Sequence, residues 1–561
     1  MMRRLCFGWR ECREPAETAS WPPILRTGKR RVLLCCRNLM KTPPTARGPA
    51  SMFESSLAFL RNVGAAAVRV AERCDPYVPG ILKSKWTLAA VCALAVALRM
   101  AEAIVFPGFE FPDEIYQVLE QAHRLAFGNG IIPWEFDEGV RSYMLPGVLA
   151  GIFRAAESVW PGSYLLAARL ALSLLSLVPV CCSWGILRRF AGPRAALIGA
   201  FLSAVWFELV YFGPKAHFEV VAGHSLLLGV YVAFPYFEGL RPARLIFGGF
   251  LLGLAFCQRL TLAVVLAVLW LAMLSINGWR RVLYTTLGAV VALALAGFVD
   301  YLTLPYPYAS ILGYTKVIMI GFGNHFGSFM NQPWHFMIAG FARVWSGALV
   351  LFVWFGIEGV RKSRPMLLLV AMAAAFILGH SVMTHKEYRY VYPALPLLLI
   401  PVAAGIDRVI GRLYPSGAAT LAATLAGIAT LSLVVGAGGN FRSHFWRRYG
   451  ETKAFEIVRR SPDACGVALH LVRWGETPGY TVLHRNIPIY NGFRDADFER
   501  IRDGANYVVS RIPEKGYIQL GKWTEGEDPV YLYRRDGGCT GRFLGERLLV
   551  DKRALWDRDP E

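Results

Sequence analysis

The run WTLAAVCALAVALRMAEAIVFPGFEFPDEIYQVLEQAHR, residues 86–124, joins a long apolar segment to a loop rich in carboxylates. Its apolar part is about twenty residues long, the length that an α-helix needs to cross a bilayer. Similar windows begin near Trp86, Tyr164, Ala195, Phe218, Leu245, Leu260, Val282, Phe336, Met366, Val391 and Ala418. The sequence therefore predicts an all-α polytopic membrane protein with about eleven transmembrane helices.

The composition excludes a soluble enzyme and a disordered protein. Of the 561 residues, 55% are hydrophobic and 18% are charged, with a mean hydropathy of +0.39 and a net charge of +20. Residues 1–85 contain 16 Lys and Arg against 6 Asp and Glu, which is half of the positive excess. The remainder lies mostly in short loops, as membrane orientation requires. We therefore expect a lipid bilayer and no nucleic acid among the partners.

Lysines and arginines fall on every second connection between the apolar spans, as the positive-inside rule requires. These cations are Arg188, Arg189, Arg194, Arg241, Arg244, Arg280, Arg281, Arg361, Lys362, Arg364, Arg408 and Arg412. The rule places them in the cytoplasm together with the amino terminus. The first external loop, residues 107–143, then faces the periplasm or the lumen. No Asn-x-Ser/Thr sequon occurs, which favours a bacterial inner membrane over the endoplasmic reticulum.

The chain divides into three predicted regions. Residues 1–85 form a basic, cytoplasmic extension with an amphipathic segment at 53–73, and Met52 is an alternative start. Residues 86–439 form the multi-pass transmembrane domain. Residues 440–561 contain 21 basic and 18 acidic residues, the composition of a soluble domain on the external side.

Alternating apolar and polar residues predict that this last region is an α/β domain. The predicted strands are GVALHLV at 466–472, YTVLH at 480–484, ANYVVSRI at 505–512 and PVYLYR at 529–534. Cys465 and Cys539 are the only cysteines of the region. If the region is exported they form a disulfide, and two buried thiols are the alternative.

The carboxylates of the first external loop have a regular spacing. With a helix start at Pro112, one helix face carries Asp113, Gln117, Glu120 and Arg124. Asp113 and Glu114 could simply complement the dipole of the first turn. Alternatively, a carboxylate beside a membrane-embedded bundle becomes a better proton acceptor through desolvation, and could then activate an attacking hydroxyl.

Two further groups of charged residues lie at the predicted external ends of apolar spans. THKEYRYVYPALP, residues 384–396, contains His385, Lys386, Glu387 and Arg389. Such groups are costly at a membrane boundary unless they are paired or functional, and its cations suit a phosphate. Gln258 and Arg259 interrupt another apolar stretch, either as a tight external turn or with the arginine facing the bundle interior.

Three motifs together resemble a known family. The segment FPDEIYQVLEQAHRLAFGNGIIPWEFDEGVRSYMLPG, residues 111–147, resembles the first lumenal loop of the dolichyl-phosphate-mannose-dependent α-mannosyltransferases of N-glycan and GPI-anchor assembly. HKEYRYVYPALP, residues 385–396, is similar to the family's HKExRFxxPxxP motif, and FGSFMNQPWHF, residues 326–336, to its YG…PWxxY segment. Phe111 stands where the family has a histidine, and Pro133 where it has a threonine.

The resemblance implies a family C glycosyltransferase bundle, with its active site at the non-cytoplasmic face. It implies a polyprenyl- or dolichyl-phosphate-linked hexose donor, usually mannose, a lipid-linked glycan acceptor, and inversion without a metal or other cofactor. Asp113 is then the expected general base, and Glu114 orients it or the acceptor, although a nucleophilic role for Glu114 stays open.

The other expected site residues bind or support the substrates. The donor phosphate is assigned to His385, Lys386 and Arg389, with Arg259 as a further candidate. Supporting roles fall to Glu387, Glu120, Arg141 and Trp134. The alternative function is a transporter or flippase of lipid-linked sugars, which also has about a dozen spans but usually shows internal repeats. No such repeat is evident.

Overall fold

The structure is a computed structural model that describes Gly80 and residues 84–110, 112–320, 331–414, 417–526 and 528–540. The predictions for the basic extension, its amphipathic segment and Phe111 lie outside the described residues, as does part of the segment at 326–336.

The first half of the bundle begins with a long apolar helix, which is followed by the external loop with its short helices. Its α-helices are α1 Lys85–Val105, α2 Glu120–Phe127, α3 Trp134–Asp137, α4 Met144–Val159, α5 Tyr164–Leu175, α6 Val178–Phe190, α7 Pro193–Val205, α8 Phe207–Phe212, α9 Phe218–Val232 and α10 Pro242–Gln258. A π-helix, Asp113–Leu119, precedes α2.

The second half contains most of the long apolar helices. These α-helices are α11 Ala263–Asn277, α12 Trp279–Thr303, α13 Ala309–Tyr314, α14 Phe336–Trp345, α15 Ala348–Val360, α16 Arg364–Val382, α17 Ala394–Leu413, α18 Ala418–Gly436, α19 Gly439–Phe445 and α20 Tyr449–Arg460. Shorter pieces are the 3-10 helices Leu260–Leu262 and Tyr388–Val391 and the π-helix Thr315–Ile320.

Each of the eleven predicted windows coincides with a helix, but the helices differ in length. Among the described residues, seven helices are long and apolar enough to cross a membrane. The α14–α15 pair is an eighth candidate, bent by 108° at a break where Ser346 has a φ of 49°. The windows near Ala195, Phe218 and Leu245 correspond to helices of only 13 to 17 residues.

Small residues allow the bundle helices to approach closely. A Cβ atom on Gly249 of α10 would lie 1.9 Å from the Thr285 carbonyl oxygen of α12. A Cβ atom on Gly288 would lie 1.9 Å from the Ile246 carbonyl oxygen. Larger side chains at these glycines would force the two helices apart, and backbone contact of this kind is common between membrane helices.

The carboxy-terminal region contains a five-stranded sheet in the order β2-β1-β3-β5-β4. Its elements after α20 are β1 Val467–His470, the 3-10 helix Trp474–Glu476, α21 Gly479–Leu483, β2 Ile489–Gly492, α22 Asp495–Ile501, the 3-10 helix Arg502–Gly504, β3 Tyr507–Ser510, β4 Ile518–Trp523 and β5 Val530–Arg534. Strand β1 is parallel to both β2 and β3, whereas β5 is antiparallel to β3 and β4.

Three of the four predicted strands are confirmed, and one is wrong. YTVLH forms α21, because the backbone amides of Tyr480 and Thr481 donate to the carboxylate of Glu120, at 3.0 and 2.8 Å. A carboxylate at a helix amino terminus satisfies amides that otherwise have no partner. The disulfide between Cys465 and Cys539 is confirmed.

The sheet and the external loop share one apolar core. Ile115 and Leu119 of the loop belong to the same buried cluster as Val467 and Leu469 of β1 and Leu532 of β5. Polar contacts reinforce this packing, since the Tyr164 hydroxyl donates to the Thr481 carbonyl oxygen at 2.6 Å. The carboxy-terminal region therefore rests directly on the loop that carries the candidate catalytic carboxylates.

Candidate active site

Two chain segments that are far apart in the sequence meet at the external loop. Asp113 is the first residue of the π-helix, and Arg389 lies in the 3-10 helix Tyr388–Val391. Although 276 residues separate them, the Arg389 Nη2 atom donates to Asp113 Oδ2. The juxtaposition predicted from the two motifs is present.

Arg389 is surrounded by carboxylates. Its Nε atom donates to Glu387 at 2.6 Å, and its Nη1 atom lies 3.4 Å from Glu219, while only 3% of its side chain is exposed. Burial alone would lower the pKa of the Arg389 guanidinium, but Glu387, Asp113 and Glu219 hold that pKa well above its usual value. Arg389 therefore stays charged and fixes the positions of these carboxylates.

Glu387 is held by Arg389 and His385. Besides the contact with Arg389, its Oε1 atom lies 3.0 Å from His385 Nε2. Burial raises the pKa of Glu387, but the charges and hydrogen bonds of Arg389 and His385 outweigh burial and lower the pKa to about 2. Glu387 therefore remains an anion that orients His385 and Arg389 at neutral pH.

One cavity of about 140 Å³, the inner cavity, lies among the ends of the apolar helices. It is lined by Asp113, Gln117, Trp134, Glu135, Arg141, Arg259, Tyr314, Ile318, His380, Met383, Thr384, His385, Glu387 and Tyr390. Arg259 pairs with Glu219 at 3.1 Å, and its guanidinium lies 4.5 Å from the centre of the Tyr390 ring. The guanidinium of Arg141 lies 5.2 Å from the Tyr314 ring centre.

A second cavity of about 550 Å³, the outer cavity, lies between the external loop and the carboxy-terminal region. Its lining from the loop and the 385–396 motif is Glu110, Pro112, Asp113, Tyr116, Gln117, Pro133, Trp134, Glu135 and Glu387. The lining from the later region is Arg447, Arg448, Gly450, Glu451, Arg473, Trp474, Gly475, Arg511, Trp523, Gly526, Asp528 and Val530.

The two cavities share a wall. Five residues line both of them, namely Asp113, Gln117, Trp134, Glu135 and Glu387. Of the side chains joined to Arg389, that of Asp113 is the most exposed, at 28%, compared with 20% for Glu387 and 4% for Glu219. A carboxylate in this position can contact ligands in either cavity.

Glu135 is a second carboxyl group at the shared wall. It accepts a hydrogen bond from Gln117 Nε2 at 2.9 Å. Burial, followed by the charge of Asp113, raises the pKa of Glu135 to about 7. It thus exchanges its proton near neutral pH, where a group that transfers protons is most effective.

Several predicted site residues contact neither cavity. Glu114 is 2% exposed and accepts a hydrogen bond from the backbone amide of Glu110 at 2.9 Å. Its burial and this contact favour an orienting role over a nucleophilic one. Lys386 Nζ donates to the Gln332 carbonyl oxygen at 2.7 Å. Their assigned roles stay predictions.

The predicted polar helix face at Asp113 does not form as one face. The π-helix has i→i+5 hydrogen bonds, which widen each turn and rotate the later residues out of line. Gln117 stays at the cavities, whereas Glu120 turns to α21 and Arg124 donates to the Tyr143 hydroxyl at 2.7 Å. Glu120 therefore joins the loop to the carboxy-terminal region, and its supporting role at the site stays a prediction.

Glu219 is a site residue that the sequence analysis did not select. It lies in the first turn of α9, an otherwise apolar helix, and pairs with both Arg259 and Arg389. A carboxylate within an apolar helix is rare unless it is functional or paired, and this signal could have identified it.

Glu110 was also missed. It lines the outer cavity and accepts hydrogen bonds from the Tyr211 hydroxyl, from His444 at 2.8 Å and from Arg447 at 2.7 Å. Burial would raise the pKa of Glu110, but the charges of His444 and Arg447 hold it well below its usual range. Its partners lie 101 to 337 positions later in the chain, so local spacing alone could not reveal them.

Comparison with known proteins identifies a family that covers most of the chain. Residues 90–457 match the family model described as the Alg9-like mannosyltransferase family. GPI mannosyltransferase 3 of Yarrowia lipolytica is 29% identical over 420 residues, covering 72% of this chain and 76% of the relative. The Drosophila melanogaster protein of that name is 27% identical over 514 residues, covering 82% of this chain and 86% of the relative.

A solved structure has the same fold. ArnT from Cupriavidus metallidurans, crystallised with undecaprenyl phosphate, superimposes with a TM-score of 0.53 at 14% sequence identity. The superposition covers 80% of this chain and 98% of ArnT. The family C glycosyltransferase fold that the motifs imply is therefore confirmed.

Proposed function

The chain belongs to the Alg9-like mannosyltransferase family, and we propose that it moves mannose from a polyprenyl-phosphate-linked donor to a lipid-linked glycan acceptor. It is a multi-pass membrane mannosyltransferase. The observation that supports this proposal most strongly is the position of Asp113, in the wall that two cavities of different chemistry share.

The inner cavity suits the donor. A phosphate there would meet the guanidinium groups of Arg141 and Arg259, whose charges can balance its own, and the imidazole of His385, which can hydrogen-bond to it. The cavity lies at the ends of the apolar helices, so the polyprenyl chain would enter the bilayer directly. The contacts of Arg389 favour a positioning role for this residue over direct contact with the phosphate.

Asp113 is the proposed general base. It takes the proton of an acceptor hydroxyl in the outer cavity while that oxygen attacks the anomeric carbon of the donor. The bond from the anomeric carbon to the phosphate oxygen breaks, and polyprenyl phosphate leaves with the bonding electrons. Cations around the phosphate stabilise the charge that develops in the transition state. One displacement of this kind inverts the anomeric configuration.

The reaction is proposed to take place on the non-cytoplasmic face, with the amino terminus in the cytoplasm. The disulfide supports this orientation, because disulfides persist in oxidising compartments. The lack of sequons favours the periplasmic side of a bacterial inner membrane, and in a eukaryote the equivalent face is the lumen of the endoplasmic reticulum. The names of the relatives make a GPI-type glycolipid the first acceptor to test.

The test is mannose transfer by the purified protein in nanodiscs. Polyprenyl-phosphate-mannose is supplied with a panel of lipid-linked glycans that includes GPI-type acceptors, and products are analysed by mass spectrometry and NMR. The proposal expects one added α-mannose, formed from a β-linked donor. Movement of the donor between leaflets of a proteoliposome without transfer to any acceptor would instead favour the flippase.

A further inference from the structure

The outer cavity has one wall that the proposed chemistry does not require. Its loop wall carries Asp113, whereas its other wall comes from the region that begins with Arg447. At about 550 Å³ the cavity has the size of sites that bind drug-sized ligands, and a single reacting hydroxyl would use only part of it.

The carboxy-terminal region reaches the catalytic wall through the 3-10 helix Trp474–Glu476. The Trp474 ring packs edge-on against Tyr116, with ring centres 4.6 Å apart, and the Tyr116 hydroxyl donates to the Trp474 carbonyl oxygen at 2.8 Å. A Cβ atom on Gly475 would lie 3.8 Å from Pro112, the residue before Asp113. Trp474 is therefore held close to the proposed base.

An ion-pair network holds this wall in place. Arg511 donates to Glu451 of α20 at 2.8 Å and to Glu476 of the 3-10 helix at 2.6 Å. Burial would lower the pKa of Arg511, but the charges and hydrogen bonds of these two carboxylates raise it above its usual value. The wall is therefore already ordered before a ligand binds, which lowers the entropic cost of binding.

The charges of the outer cavity favour a neutral ligand. Its lining includes four arginines, Arg447, Arg448, Arg473 and Arg511. The lining also includes six acidic residues, Glu110, Asp113, Glu135, Glu387, Glu451 and Asp528. Three of these arginines are already paired with carboxylates, Arg447 with Glu110 and both Arg448 and Arg511 with Glu451. Sugar hydroxyls can donate to carboxylates and accept from guanidinium groups without breaking such pairs. The rings of Tyr116, Trp134, Trp474 and Trp523 add aromatic surface for the apolar faces of sugars.

We propose that the carboxy-terminal region forms a subsite for the neutral glycan headgroup of the acceptor, with Trp474 as a specificity-determining residue. This inference rests on the proposed function and extends it. The sugar that receives mannose lies at Asp113, and sugars further from the reacting hydroxyl contact Trp474. The region thereby selects acceptors by the length of their glycan.

The experiment compares two acceptors that share one lipid but carry either one sugar or three. For the Trp474→Ala protein in nanodiscs, the KM of the three-sugar acceptor is expected to rise about tenfold, as for loss of one buried aromatic anchor. The KM of the one-sugar acceptor, the KM of the donor and kcat stay within about twofold. The conservative Trp474→Phe variant recovers most of the affinity.

Controls keep the outcome independent of folding. Ile518→Ala removes a half-exposed apolar side chain from β4 of the carboxy-terminal sheet, and it should leave the KM values of both acceptors unchanged. Arg473→Ala changes an exposed cavity residue that forms no ion pair among the described residues, and it should weaken only the three-sugar acceptor. Its matched control is Arg494→Ala, at an exposed arginine outside the cavity lining.

Two failures can be told apart. If wild-type protein transfers mannose but Trp474→Ala and Arg473→Ala change both acceptors equally, or change neither, the subsite is overturned while the proposed function stands. If wild-type protein transfers mannose to neither acceptor, both proposals are overturned.

Discussion

The two cavities on either side of Asp113 differ in size and chemistry. The inner cavity is about 140 Å³ and contains Arg141, Arg259 and two histidines among the ends of apolar helices, besides the three carboxyl groups of the shared wall. The outer cavity is about 550 Å³ and combines aromatic rings with arginines and carboxylates that pair with each other. One suits the compact anionic leaving group of a lipid donor, and the other suits a large neutral glycan.

This difference explains why the site uses two distant parts of the chain. The proposed base and the proposed phosphate-binding cations come from the bundle and its external loop, which provide only one wall of the larger cavity. The carboxy-terminal region supplies the other wall and is fixed to the external loop by a shared apolar core. Variants that affect one cavity and leave the other unchanged therefore test the division.

The largest expected effect belongs to the residue that serves both cavities. Asp113→Asn keeps an acceptor for the Arg389 hydrogen bond but removes the base, so kcat should fall by about 10³-fold. Donor affinity, measured by titration of the donor without acceptor, should change little. Glu138→Gln, at an exposed carboxylate of the same loop, is the control. Normal turnover by the Asn variant would remove Asp113 as base.

The next effect tests the attachment of the outer wall. Glu120 accepts hydrogen bonds from the amides of Ile131, Tyr480 and Thr481 and from the Thr481 hydroxyl, and its side chain is fully buried. Glu120→Ala leaves these donors without partners, which should cost about 3 kcal/mol of stability.

The Glu120 prediction is measured by thermal unfolding and by limited proteolysis after α20. The acceptor KM should rise while the donor KM is unchanged, because only the outer cavity loses a wall. Glu499→Ala, at an exposed carboxylate of α22, serves as the control. A change in donor affinity of similar size would mean that the cavities are not separate.

A smaller effect is expected for the inner cavity. Arg141→Ala removes a cation from the proposed phosphate site, and donor affinity should fall by roughly thirtyfold, or about 2 kcal/mol. Acceptor KM should stay within about twofold. Arg154→Ala, at an exposed arginine of α4, is the matched control. Unchanged donor affinity would place the phosphate elsewhere.

The smallest effect concerns the pH dependence of stability. The folded protein holds the pKa of Glu135 at about 7, mainly through burial, whereas an unfolded chain has a value near about 4.3. Between these values the folded state binds more protons, so the contribution of Glu135 to stability falls as pH rises. Relative to Glu135→Gln, wild-type protein should lose roughly 1 kcal/mol between about pH 6 and pH 8. If the free energies of unfolding of wild-type protein and Glu135→Gln changed equally with pH, the buried environment assigned to Glu135 would be contradicted.

Motifs were sufficient to predict that Asp113 and Arg389 belong to one site, but not that the two side chains pair directly. Asp113 and Arg389 belong to segments whose charges are costly at a membrane boundary, and their pairing is present. Apolar length was likewise sufficient to find the bundle helices. It could not predict which of them are short, because helix ends depend on packing against neighbours as well as on hydropathy.

The parts that could not be predicted depend on contacts between distant residues. YTVLH alternates like a strand, but the Glu120 carboxylate stabilises the amino terminus of a helix there. The π-helix at Asp113 shifts the later residues off the predicted face. The outer wall joins loop residues to side chains more than three hundred positions later, such as Trp474, and no local pattern encodes that meeting.

The most direct test is an experimental structure with polyprenyl-phosphate-mannose bound to the Asp113→Asn protein. The phosphate is expected in the inner cavity, within hydrogen-bond distance of Arg141, Arg259 or His385, with the anomeric carbon facing residue 113. A phosphate bound in the outer cavity beside Trp474, or an anomeric carbon that faces away from residue 113, would contradict the division of the site into a donor and an acceptor side.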